Sequence, residues 1–109
     1  MLDKEAQSNL NHIKSAAQMI WNDACQFGEI NVLNAPYSMF QLPACIYKKH
    51  DVLFSYDRSI LGIYVKNQGE YVNIRRFTTD EIIGGFDSCK PDSLLHNFVI
   101  LNNVLSSMR

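Results

Sequence analysis

The chain has 109 residues, 47% of them apolar and 19% charged, with a net charge of −1, so its length and composition fit one domain, 1–109, built on a single core. Five glycines and three prolines exclude a collagenous or low-complexity chain. No apolar run approaches the ~20 residues of a membrane span, and the acidic start MLDKEAQSNL lacks a secretory core; a soluble, cytoplasmic protein with no membrane partner is expected.

In the first segment Ala6, Leu10, Ile13, Ala17, Ile20, Ala24 and Phe27 recur at steps of four and three, which predicts a helix over residues 3 to 27 with Gly28 as its left-handed stop. Trp21 lies beside this stripe and is expected to widen the buried face. From residue 29 to 43 the period is lost. Pro36 and Pro43 interrupt the chain, so a loop with at most short edge-strand pieces is expected there, with an apolar stretch at 33 to 42 that closes over the core or forms a contact patch.

The segments ACIYKK, VLFSYD, ILGIYVKN and YVNIRR are rich in β-branched and aromatic residues and joined by turns too short for parallel crossovers. They predict an antiparallel β-meander of three to four strands. Leu61, Ile63 and Val65 should face the helices, with Gly62, Tyr64 and Lys66 on the opposite face. In FTTDEII, Thr78 and Glu81 have the spacing of a capping box, and Phe77 and Ile82 that of a hydrophobic staple. A one-turn helix ended by Gly84 and Gly85 is the expectation.

The stretch DSCKPDSLLHNF brings Cys89, Asp92 and His96 close in sequence, as a catalytic or metal cluster would. Leu94, Phe98, Leu101, Leu105 and Met108, widened by Leu95, Val99 and Val104, give it a plainer meaning: a second long helix begins here. Pro91 suits its first turn, and Asp92 complements the positive end of its dipole. Cys89 precedes that helix, so spacing does not bring it beside His96. No CxxC or HxxxH pair, GxGxxG or GxxxxGK loop occurs. No catalytic residue, metal ligand or cofactor site is therefore assigned. Three widely spaced cysteines, Cys25, Cys45 and Cys89, fit reduced thiols.

The fold class expected is thus α+β, an antiparallel meander packed by long N- and C-terminal helices. Charge is uneven: residues 48 to 76 hold six basic against three acidic side chains, and each flank holds two against four. The five tyrosines, including Tyr37 and Tyr56, fall within residues 37 to 71. Tyr47, Arg58, Tyr64, Lys66, Tyr71, Arg75 and Arg76 are accordingly the expected partner-binding residues on an exposed sheet face, together with the 33 to 42 loop. The function expected is non-catalytic protein binding, as in an inhibitor, immunity-type or adaptor protein. Two alternatives stand beside it: a nucleic-acid-binding sheet of tyrosines and basic residues, and a small-ligand pocket between sheet and helices near Trp21, Phe54 and Phe98. Pairing of the long helices between two copies leaves a homodimer open.

Overall fold

The computed structural model describes residues 2–34 and 39–108. Helix α1 spans Lys4–Trp21, its first turn capped by Asp3, which accepts a 2.8 Å hydrogen bond from the Ala6 amide. Ala6, Leu10, Ile13, Ala17 and Trp21 are buried as the stripe requires. The helix stops at Trp21 rather than at residue 27. Asn22 takes φ 52° and ψ −128°, a conformation that breaks the helix, and a single 3₁₀ turn at Asn22–Ala24 leads into strand β1, Cys25–Phe27. Phe27 still reaches the core, 6.3 Å from the Phe54 ring, so strand and helix would satisfy its apolarity equally.

The expectation of a loop with short edge-strand pieces at 29 to 43 is corrected at its far end, where an eight-residue inner strand begins. Strands β2 (Asn31–Asn34) and β3 (Met39–Ile46) occupy it, followed by β4 (His50–Asp57), β5 (Ile60–Asn67) and β6 (Glu70–Asn73). The sheet is antiparallel in the order β1-β3-β4-β5-β6, with β2 also paired to β3. Among the described residues six strands replace the three to four expected.

Pro43 lies inside β3, opposite Leu53 of β4. Its missing donor faces the other side, where β1 and β2 follow one another along the same edge. Phe27 pairs with Ala44, but Asn31 pairs with Gln41, so one extra residue is accommodated between them. That bulge sits opposite Pro43, and the Gly28 amide donates to the proline carbonyl at 2.8 Å. The proline is tolerated because the ladder is already interrupted there.

The meander turns are tight and mostly without glycine. Tyr47, Lys48, Arg58, Ser59 and Gln68 all have positive φ, as does Gly69 at 85°, the pattern that matches hairpin turns to strand twist. After β6, a 3₁₀ turn at Ile74–Arg76 buries Ile74.

The expected helix at FTTDEII is absent. Thr78 Oγ1 accepts from the Asp80 amide, two residues on, instead of capping Glu81. The backbone partners come from elsewhere. The Asn97 carboxamide accepts from the Ile83 amide at 2.9 Å and donates to the Ile83 carbonyl at 3.0 Å. His96 Nε2 lies 2.9 Å from the Glu81 carbonyl, and Arg75 donates to that of Ile82. A single helical turn fixes several residues for one hydrogen bond; this tethering offers more.

A further 3₁₀ turn, Gly85–Asp87, precedes helix α2, Pro91–Ser107. Pro91 occupies its first turn and Asp92 its N-terminal end, as the sequence implies. Leu94, Phe98, Leu101 and Leu105 are buried. Ile100 joins them, whereas Val99, expected to widen the stripe, is 48% exposed. Trp21 at the end of α1 meets Phe98, and the start of α1 flanks Cys89–Pro91, so the two helices run in the same direction. Both pack on one sheet face over Phe40, Phe54 and Tyr56.

Candidate functional site

Strand alternation leaves the second sheet face open. Phe40, Leu42, Ala44 and Ile46 of β3, Val52, Phe54 and Tyr56 of β4, and Leu61, Ile63 and Val65 of β5 point to the helices and are buried. Their neighbours on the opposite side are half-buried or exposed. Register places Pro43, Leu53, Tyr64 and Asn73 in one row across four strands, and Gln41, Ser55 and Gly62 in the row beside it. The centre of the face is therefore apolar or neutral. Charge enters at its margins, through Asp51, Asp57 and Lys66.

Gly62 sets the pose of Tyr64. A Cβ on Gly62 would stand 2.9 Å from Tyr64 Cε2, so the absence of a side chain lets the tyrosine ring lie along its own strand. Lys66 pairs with Tyr71 across β5 and β6, and its Nζ is 5.7 Å from the Tyr71 ring centre. Burial raises the Tyr71 hydroxyl pKa above its ordinary value, and the negative charge of Asp51 adds to the shift. Tyr71 and Asp51 join Gln26, Pro43 and Cys45 around a depression of about 310 Å³ beside the bulge.

The structure brings together only part of the expected set. Tyr64, Lys66 and Tyr71 share the open face. Tyr47 sits in the β3–β4 turn and donates a 2.7 Å hydrogen bond to Asn102 of α2, which places its hydroxyl on the helix side. Arg58 lies in the β4–β5 turn at the opposite end of the sheet, paired with Asp57 at 2.8 Å. Arg75 and Arg76 lie on the 3₁₀ turn past β6, where Arg75 reaches the Ile82 carbonyl. Tyr56, counted among the candidate surface tyrosines, is 2% exposed; it stacks on Phe40 at 4.7 Å and accepts from the Asn9 amide. Of the 33 to 42 patch, Leu33 is exposed while Phe40 and Leu42 belong to the core; Tyr37 lies outside the described residues. The proposed pocket lining of Trp21, Phe54 and Phe98 is a chain of ring contacts at 5.3 and 5.2 Å.

Sequence reasoning did not find a second concavity, a cleft of about 260 Å³. Glu5, Ser8, Asn9 and His12 line it from one side of α1, at the spacing that puts four side chains on a single helix face. Ser59, Phe86, Cys89, Lys90 and Pro91 close it from two other segments. The Ser59 hydroxyl donates to the Glu5 carboxylate, and Lys90 pairs with Asp87 at 2.8 Å. His12 Nδ1 is buried and has no hydrogen-bond partner among the described residues. Burial pushes the Cys89 thiol up to about 11; the charge of Glu5 acts in the same sense, and a hydrogen bond with Ser88 opposes it. The thiol is protonated at neutral pH and is not poised as a nucleophile. The i, i+3, i+4, i+7 run of polar residues was the only sequence signal for this cleft.

In comparisons with protein-family models, curated proteins and solved structures, the chain matches none. Its class rests on architecture alone: a two-helix α+β protein with one covered and one open sheet face.

Proposed function

We propose that the protein is a non-catalytic binding module that recognises a protein partner with the open face of its sheet. The observation that carries this reading is the row Pro43–Leu53–Tyr64, an apolar centre with charge confined to its margins. Protein interfaces have that anatomy, and tyrosine is favoured among their anchoring residues because it contributes a large, rigid contact. Lys66 is the one basic side chain on this face among the described residues, so the surface offers phosphate little positive charge. A reducing, cytoplasmic setting fits the free Cys25, Cys45 and Cys89.

The test is affinity capture from the native host, with nuclease treatment, using the wild type, Leu53→Glu and Val99→Glu as baits. The expected result is a nuclease-resistant protein recovered in near-equal amount by the wild type and Val99→Glu and lost with folded Leu53→Glu. A second copy as the partner would appear in sedimentation as a dimer that Leu53→Glu dissolves. Equal capture by all three baits, or recovery of nucleic acid alone, would overturn the reading.

A further inference from the structure

The cleft between α1 and the segment leading into α2 is separate from the open sheet face. We propose that it binds a planar, amino-bearing heterocycle of one or two fused rings, the size and chemistry of a free nucleobase. Its volume of about 260 Å³ falls below the ~300–1,000 Å³ of pockets for drug-sized ligands, which limits the occupant to a small molecule.

Planarity follows from the walls. Phe86 is 75% exposed, the most exposed of the large apolar side chains described, yet its backbone is firmly held. Next to it in the same segment, the buried Ser88 hydroxyl accepts from the Leu61 amide at 2.8 Å and donates to the Gly85 carbonyl at 2.7 Å. Pro91 contributes a rigid ring at the start of α2. An exposed aromatic side chain lining a cleft, carried on a tethered backbone segment, offers a stacking platform.

The polar lining specifies an edge that donates hydrogen bonds. Glu5 accepts from Ser59 with one carboxylate oxygen and offers the other. Asn9 uses its amide on Tyr56 and leaves Oδ1 without a hydrogen bond from the described residues. His12 lines the cleft, and its unpartnered Nδ1, closed to solvent, would meet a ligand after the ring turns, donating or accepting according to tautomer. Two acceptors beside an adaptable nitrogen match an exocyclic amino group next to a ring nitrogen. A phosphate is disfavoured by Glu5, and Lys90 is already engaged by Asp87. Cys89 serves as a neutral wall.

The experiment is a titration of the full chain with adenine, cytosine, uracil, hypoxanthine and adenosine monophosphate, followed by amide NMR shifts. Adenine or cytosine should give saturable shifts, one ligand per chain, at residues 5 to 12 and 86 to 91. Uracil, hypoxanthine and the monophosphate should bind at least about tenfold more weakly. Phe86→Ala should weaken binding by about tenfold or more, since stacking supplies much of a base's affinity, without loss of fold at so exposed a position. Glu5→Gln should reduce the preference for the amino-bearing bases. No saturable shift up to solubility, shifts confined to the open sheet face, or binding indifferent to Phe86→Ala would overturn the assignment.

Discussion

Asn97→Ala tests whether segment 77–84 is held by α2 rather than by its own conformation. Asn97 is 2% exposed, and its carboxamide makes both hydrogen bonds to Ile83, at 2.9 and 3.0 Å. Each such bond contributes about 1 kcal/mol net, and the truncation also strands two backbone groups. The expected loss is about 2–3 kcal/mol, a large share of the ~5–15 kcal/mol that holds a domain folded. For a chain of this size the melting temperature should fall by on the order of 10 °C.

Urea unfolding followed by Trp21 fluorescence measures the global loss, and hydrogen exchange at the Ile83 amide measures local opening. Should the segment detach by itself, the exchange accelerates strongly while the urea midpoint falls less. Asn97→Asp separates geometry from charge. Its carboxyl can accept from the Ile83 amide in either state, but it can donate to the Ile83 carbonyl only when protonated. The folded state therefore favours the protonated acid, and stability should fall as pH rises through its titration. A midpoint for Asn97→Ala within about 0.5 kcal/mol of wild type, with Ile83 exchange unchanged, would refute the tethering argument.

Two further outcomes follow from the turns and the thiols. Gln68→Asn makes the β5–β6 turn Asn-Gly; because Gln68 holds φ 52° and asparagine tolerates that region better, stability should rise by about 0.5 kcal/mol, read as a higher urea midpoint. Burial raises the thiols of Cys25, helped by Cys45, and of Cys89 from 9.0 to about 11, so the unfolded chain releases those protons first; their contribution is intact below pH 9 and is lost as pH rises from 9 towards 11. Unfolding titrations of the wild type and a Cys25→Ala/Cys89→Ala variant over that range should show a steeper decline in the wild type.

Local signals located the elements whose burial pattern and boundaries agree. Strand β5 coincides with ILGIYVKN because its alternation is strict and both ends are turns. The start of α2 was legible because proline and an acidic first turn coincide with the apolar stripe. The failures share a cause. Pro43 forbids a ladder donor, but whether that matters depends on which neighbour lies on its donor side. Here the neighbour is a bulge formed by residues more than a dozen positions earlier. The capping pattern at Thr78 and Glu81 is outbid by Asn97 and His96, which lie 14 or more residues downstream. The expected basic and tyrosine surface came together only in part for a related reason: Tyr64, Lys66 and Tyr71 share the open face, while Tyr47, Arg58, Arg75 and Arg76 fall on turns outside it. The cleft draws on three separate segments, so no window of sequence contains it.

The edges of the sheet bear on how a partner would engage it. Strand addition needs a continuous run of unpaired backbone groups. At one edge β1 and β2 are interrupted by the bulge opposite Pro43, and at the other β6 has four residues. Short and broken edges are the usual defence against association strand to strand. The face differs, with Leu53 and Tyr64 side by side and no covering helix. A partner engaging this sheet is therefore expected to pack side chains against the face rather than extend it. Removing the Leu53 side chain should then weaken binding more than substituting proline into the outer edge of β6.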